Sequence, residues 1–190
     1  MRAFWANLPN ALSLSRIPAA FLFLVLFSTE TAAAMVPALL ILAYALVSDF
    51  LDGFLARRLG HSSRTGYYLD GLGDRAFSVA ILFAITRADP SQIGLAWLLV
   101  FREIAIYALR GLDPDQSVTA GMLRRLSVAQ AIVIRLYFGA FFVGSFVQAS
   151  GIPPPHWFHL YGLLGGAAAI IGYAAIALHS TQLVKKATGP

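Results

Sequence analysis

The chain has no cysteine, few acids and little charge of either sign, and each scarcity narrows what it can be. Without a thiol among its 190 residues there is no disulfide, no thiol nucleophile and no thiolate metal site. Charged residues make up 12% of the sequence, against about 25% in soluble domains, while 58% are hydrophobic. Mean hydropathy is +0.72. A soluble domain of this length would leave too much apolar surface in water, so the chain reads as an integral membrane protein with a single domain over residues 1–190. Soluble linkers, internal repeats and low-complexity tails are also missing. The formal net charge of +5 could suggest nucleic acid. The basic residues, however, gather at the ends of apolar segments and form no soluble patch, so no nucleic-acid partner is expected.

An apolar stretch needs about 20 residues to cross the hydrocarbon. Six are predicted: Ala11–Ser28, Ala32–Arg57, Gly66–Thr86, Ser91–Leu112, Leu126–Ala149 and His156–Leu183. Met1–Asn10, short and amphipathic with Phe4 and Trp5, predicts a helix lying in the interface. The expected fold class is therefore all-α, with six transmembrane helices plus a short N-terminal interfacial helix. Pro153-Pro154-Pro155 breaks the chain between the last two spans. One side of the membrane carries Arg2, Arg57, Arg58, Arg64, Arg110, Arg124, Arg125, Lys185 and Lys186, whereas the other carries Arg87 with Glu30 and Asp89. By the positive-inside rule the first side is cytoplasmic, which puts both termini in the cytoplasm of a multi-pass cell-membrane protein. Trp5, Trp97 and Trp157 fall near span ends, as an aromatic belt would. Arg16, Arg102, Glu103 and Arg135 interrupt the spans and are expected to face the protein interior or a polar cavity.

Against this background the acids are distributed unevenly. Four of the nine, Asp49, Asp52, Asp70 and Asp74, fall in one stretch. A carboxylate near hydrocarbon costs about 2.5–3.5 kcal/mol on insertion scales, so four together need a compensating partner. Hard divalent cations fill that role through carboxylate oxygens. On a helix, positions 49, 52, 53 and 56 share one face, and 66, 70 and 74 share a face on the next. Two acidic faces joined by a short basic loop can clamp one or two ions, and the cytoplasmic side is where they would sit. Intramembrane ion pairs with Arg57 and Arg75 are the plainer alternative. Such pairing would not demand Gly53, Ala56 and Gly66 on the same faces, whereas a bound nucleotide would, because small residues let a flat base and a diphosphate approach the backbone.

The pattern Asp49-x2-Asp52-Gly53-x2-Ala56-Arg57-x8-Gly66-x3-Asp70-x3-Asp74 resembles the signature of the CDP-alcohol phosphatidyltransferases at every fixed position. The run Asn7-Leu-Pro9-Asn10-Ala-Leu-Ser13-Leu-Ser-Arg16 is similar to an N-terminal element of bacterial members. Arg2, the apolar run Ile17–Phe27 and Ala32-Ala33-Ala34 also fit a cleaved signal peptide. The likeness of the Asn7–Arg16 run argues instead that this segment belongs to the working protein.

The resemblance implies transfer of a phosphatidyl group from a CDP-activated lipid, CDP-diacylglycerol, to an alcohol, with release of CMP. It further implies two divalent ions, Mg²⁺ or Mn²⁺, held by Asp49, Asp52, Asp70 and Asp74. Gly53, Ala56, Arg57 and Gly66, with Asn10, would bind the CDP-lipid, Asp74 would serve as general base, and the chain would form a homodimer among membrane lipids. Arg102-Glu103-Ile-Ala-Ile-Tyr-Ala-Leu-Arg110 resembles a stretch of bacterial phosphatidylglycerophosphate synthases, making glycerol 3-phosphate the expected acceptor. Those synthases usually read Leu-Asp-Pro-x-Ala-Asp-Lys where this chain has Leu69-Asp70-Gly71-Leu72-Gly73-Asp74-Arg75. They also carry Gly-Lys-x-Lys-Thr where this chain has Gly121-Met122-Leu123-Arg124-Arg125. Inositol phosphate, or phosphatidylglycerol giving cardiolipin, therefore remain alternative acceptors.

A charged acceptor needs cations beyond the nucleotide site. Arg135, about two turns inside the fifth span and deeper than membrane anchoring requires, is the first candidate. Arg124 and Arg110 follow, although Arg124-Arg125 also fits simple positive-inside anchoring. His61, His156, His159 and His179 lack metal-ligand spacing and are assigned no chemistry. A metal or ion transporter is the reading from a different class, since intramembrane carboxylates also mark ion pathways. Transport favours acids near mid-membrane and broken helices at matching places in two halves. Here the acids gather at a cytoplasmic end and no repeat is present.

Overall fold

The computed structural model describes the backbone of residues 2–59, 64–113, 121–153 and 160–188, and the side chains within them except at 2–9, 46, 49, 50, 52–59, 64–67 and 70. All of the regular structure described is helical, in line with the all-α expectation. In order come α1 (Arg2–Phe27), α2 (Ala32–Leu59), α3 (Arg64–Ala88), a single 3₁₀ turn (Pro90–Gln92), α4 (Ile93–Leu112), α5 (Met122–Ala149) and α6 (Tyr161–Thr188). Helices suit so apolar a chain because each satisfies its own backbone N–H and C=O groups where water cannot. Among the described residues, four stretches are long and apolar enough to cross a membrane: Asn10–Phe27, Pro90–Leu112, Met122–Ala149 and Tyr161–Thr188. In α2 the described apolar stretch is the shorter Ala32–Ala45.

Two sequence-based expectations are corrected. The separate interfacial helix is absent, because α1 runs unbroken from Arg2 to Phe27. Proline holds φ near the helical value and removes one backbone hydrogen bond, so Pro9 does not by itself end a helix that its neighbours favour. The last helix runs to Thr188, past Leu183 where the last span was expected to end. The Pro154–Pro155 break and His156 lie outside the described residues.

The helices group into two compact units, residues 1–84 and 85–190. In the first, α1 packs on both α2 and α3. The Ser15 and Tyr44 hydroxyls share a hydrogen bond of 2.6 Å between α1 and α2. The Phe23 and Phe77 rings lie 5.7 Å apart between α1 and α3. Glu30, at φ 56°, takes the left-handed conformation that turns the chain from α1 into α2.

In the second unit α6 packs on both α4 and α5. Gly162 faces Gln92, Gly165 faces Leu95 and Gly172 faces Arg102, so α4 and α6 ascend together. Tyr137 stacks on Tyr161 at 5.7 Å and faces Gly165, while Phe141 lies tilted against Tyr161 at 5.5 Å, an order that sets α5 antiparallel to α6. Small residues at the α6 contacts permit this closeness. A Cβ at Gly172 would stand 2.9 Å from Cγ of Arg102. Arg102 is the tenth of the twenty residues of α4, buried, with its Nη1 donating to Oε1 of the adjacent Glu103 at 2.5 Å. These two charges, expected to face the protein interior or a polar cavity, pair with one another along α4.

Asp89 ties the first turn of this unit together. Its carboxylate accepts hydrogen bonds from the Ser91 N–H and hydroxyl and from the Tyr161 hydroxyl, the last at 2.6 Å across 72 residues. The Ser91 hydroxyl, then Tyr161, hold the Asp89 carboxyl below its ordinary value of 3.8. A depressed folded-state value means that ionised Asp89 stabilises the fold above its unfolded-state range, and that this contribution is lost as pH falls through the folded value. Tyr161→Phe keeps the ring and removes the donor. It should lower stability by about 1 kcal/mol and move acid destabilisation to higher pH, as read by thermal unfolding of the detergent-solubilised protein across pH. Gly172→Ala should destabilise by about 1–3 kcal/mol through overpacking against the stem of Arg102. By contrast, Gly166→Ala, with open space around it, should stabilise by up to about 1 kcal/mol from helix propensity. Equal effects at the two positions would show that the Arg102 contact imposes no constraint.

Candidate functional site

The acidic motif occupies the last three turns of α2 and the first three of α3. Because α2 is unbroken to Leu59, positions 49, 52, 53 and 56 fall on one face of a real helix. That face continues the packed side of the helix. Ala38 and Ala45 are buried, and position 52 lies seven residues, or two turns, beyond Ala45. Ser48, also buried, donates its hydroxyl to the Ala45 carbonyl at 2.9 Å. On α3, positions 66, 70 and 74 likewise share a face, and the same face continues through Phe77 and Ile81, both buried. Asp74 itself is exposed. The side of α3 that is packed along most of the span is thus open at the aspartate.

Asp74 is the motif residue whose side chain is described. The side chains of Asp49, Asp52, Asp70, Ala56 and Arg57, and the surroundings of Gly53 and Gly66, lie outside the described residues. Among the described residues no three metal-ligating side chains converge. The donor chemistry of the motif nevertheless fits a hard ion. Four carboxylates at helical spacing offer oxygen ligands, and no cysteine competes for a softer metal. Asn10, on α1, is half-buried.

Around Asp74 the structure brings together residues that the sequence reading kept apart. Gly73 sits against α1 between Ser13 and Arg16, where a Cβ would collide with the Ser13 carbonyl oxygen and come within 3.4 Å of the Arg16 Cβ. Ser13 and Arg16 are both buried, so these two polar positions of the Asn7–Arg16 run turn inward beside the motif. Gly73 is also one of the departures from the synthase pattern. At a second departure, Arg75, one guanidinium N–H donates to the Gly71 carbonyl of the same helix at 2.5 Å.

The basic candidates are spread along the second unit. Arg124 and Arg135 are eleven residues apart on α5, which puts them on one helix face about 16 Å apart along the axis. Both are exposed, and Arg135 donates to the Ala131 carbonyl at 3.2 Å. Arg110 is half-buried at the end of α4, and no described contact joins it to the other two. Near it stands a pairing that sequence reasoning missed. Asp113, 1% exposed, accepts a hydrogen bond from Nζ of Lys186 at 2.9 Å, which fastens the last turn of α6 to the end of α4. The signal available for it was slight: an acid just past an apolar helix and a lysine pair at the end of another.

With this geometry in view, the chain was compared with known proteins. The model of the CDP-alcohol phosphatidyltransferase family matches residues 6–148, a stretch holding both the α2–α3 motif and the Arg102–Arg110 run. A protein of Aquifex aeolicus named CDP-diacylglycerol–glycerol-3-phosphate 3-phosphatidyltransferase is 36% identical over 102 residues, covering 53% of this chain and 56% of that protein. The Escherichia coli K12 protein of the same name is 35% identical over 106 residues, 55% of this chain and 58% of that one. A chloroplastic rice protein named CDP-diacylglycerol–glycerol-3-phosphate 3-phosphatidyltransferase 1 is 34% identical over 105 residues, 55% of this chain and 31% of that one. The matched part thus spans about half the length of the bacterial relatives and less of the plant one. No solved structure matches. The family match, over a stretch whose helices carry the acidic faces and the N-terminal run beside them, establishes that the chain belongs to the CDP-alcohol phosphatidyltransferase family.

Proposed function

We propose that the chain transfers a phosphatidyl group from CDP-diacylglycerol to glycerol 3-phosphate and releases CMP. The observation that carries this reading is the acidic face of α3, packed through Phe77 and Ile81 and open at Asp74. A carboxylate so placed is accessible to substrate. The names of the relatives from Aquifex aeolicus and Escherichia coli support the acceptor.

Asp49, Asp52, Asp70 and Asp74 would hold the metal. Mg²⁺ or Mn²⁺ bound there neutralises charge on the diphosphate and on the departing CMP. Gly53, Ala56 and Gly66 leave room for the nucleotide, and Arg57 and Asn10 offer it hydrogen-bond donors. The acceptor hydroxyl attacks the phosphorus carrying diacylglycerol, its proton passes to the Asp74 carboxylate, and the bond to the CMP phosphate breaks. A carboxylate is a weak base in water, but one held within hydrogen-bond reach of a hydroxyl can take its proton as the new bond forms. The chain would cross the membrane six times with the motif and both termini in the cytoplasm, in keeping with the bases at alternate helix ends. A homodimer follows from the family resemblance.

Arg135 is the first candidate for the acceptor phosphate. An exposed guanidinium deep in an apolar helix is costly against lipid, so it belongs in a polar compartment. Its planar fork suits two phosphate oxygens, and a phosphomonoester brings about −1.5 to −2 charges near neutral pH.

Three outcomes test the reading. Asp74→Asn should cut CMP release by about 100-fold or more, as loss of a general base does, with the protein still inserted. Asp49→Asn, Asp52→Asn and Asp70→Asn should be similarly impaired, and full activity in any one of the four removes that residue from the site. Chelation should abolish CMP release by the purified protein, and Mg²⁺ or Mn²⁺ should restore it. Turnover that persists in excess chelator rules out the metal mechanism. Finally, Arg135→Ala should raise KM for glycerol 3-phosphate about tenfold or more and leave KM for CDP-diacylglycerol nearly unchanged, equivalent to losing a charged hydrogen bond worth about 1.5–3 kcal/mol. Equal change in both constants would make Arg135 structural and favour an acceptor without a phosphate.

A further inference from the structure

We infer that Gly73 is a positioning residue that fixes Asp74 relative to α1, because its missing side chain lets the backbone of α1 lie directly on α3 one residue before the aspartate. The inference rests on the proposed metal role of Asp74. A Cβ at position 73 would meet the Ser13 carbonyl oxygen, and behind it the Ser13 carbonyl carbon and Arg16 Cβ, each at 3.4 Å. These are backbone and stem atoms, which cannot rotate away as the tip of a long side chain could. Ser13 is 3% exposed and Arg16 1%, so the seat is closed on both sides. One helical turn further along α3, the Phe77 ring lies tilted against Phe23 of α1. The two helices therefore meet at two levels, and the lower one is set by backbone against backbone.

Asp74 follows Gly73 by one residue, about 100° around α3. Any substitution that lifts α1 off Gly73 must tilt or translate the first turns of α3 and carry Asp74 with it. Ligand geometry is sensitive at that scale, since a misplacement of about 1 Å can cost about 100-fold in rate. A residue with only a packing role would instead lower the folded fraction and leave each folded molecule with its normal metal affinity.

The test measures Mn²⁺ binding to the purified full chain by electron paramagnetic resonance, alongside Mn²⁺-dependent CMP release. Gly73→Ala should weaken Mn²⁺ binding about tenfold or more in protein that remains folded and monodisperse, and raised Mn²⁺ should recover much of the lost turnover. Gly94→Ala, in a helix with open space at that position, controls for adding alanine and should bind as the wild type does. Mn²⁺ affinity of Gly73→Ala within about twofold of wild type overturns the inference. If Gly73→Ala does not accumulate as folded protein, Phe77→Leu loosens the other α1–α3 contact without adding an atom. It should weaken Mn²⁺ binding severalfold, and unchanged affinity there overturns the inference equally. A wild-type chain that binds no Mn²⁺ fails at the earlier step and overturns the metal reading itself, together with this one.

Discussion

The constraint on which the rest of this structure depends is the cost of holding carboxylates beside hydrocarbon. Acids are few in the chain, and those of the α2–α3 motif sit at helix ends, on faces continuous with packed interior. Each neighbouring feature makes sense as a response. The face of α3 stays closed through Phe77 and Ile81 and opens at the Asp74 carboxylate. The polar positions Ser13 and Arg16 turn inward from α1 and so add nothing polar to the lipid surface. Three described acids outside the motif follow the same rule. Asp89 is held by hydroxyls, Glu103 by its own neighbour Arg102, and Asp113 by Lys186.

Packing in the two units follows from a second property of lipid, which is that apolar side chains gain little by leaving it. Helices must then hold together through close fit and a few polar contacts. Glycines at 73, 165 and 172 supply the fit, pressed respectively against the Ser13 backbone, the Leu95 methyl and Tyr137 ring, and the stem of Arg102. A tilted ring pair, Phe23–Phe77, and a stacked one, Tyr137–Tyr161, add aromatic contacts between helices. These contacts belong to residues with no chemistry of their own, yet they set how far apart the helices lie.

Much of this was legible beforehand. Apolar runs announced helices at nearly the right places, because length and hydropathy are local properties. The eight fixed residues between Asp49 and Asp74 announced the family by their resemblance to its signature, and helical spacing made their offsets into faces. The run of α1 through Pro9 was not legible, since a proline's cost is weighed against neighbours whose strength is hard to read from letters. Neither were the long-range pairs, Asp89 with Tyr161 and Asp113 with Lys186, which join residues more than 70 positions apart and depend on which helices run side by side. Gly73 looked like one more small residue until the Ser13 carbonyl was seen lying on it.

The Asp113–Lys186 pair has a consequence for how the protein is made. The two partners are 73 residues apart, so at about 5–20 residues per second the ribosome delivers the lysine roughly 4–15 s after the aspartate. For that interval α4 is complete while its terminal carboxylate has no Lys186 to meet. This contact between α4 and α6 can therefore close only after α6 has been made, and the buried carboxylate at the end of α4 takes its lysine partner from the last helix described.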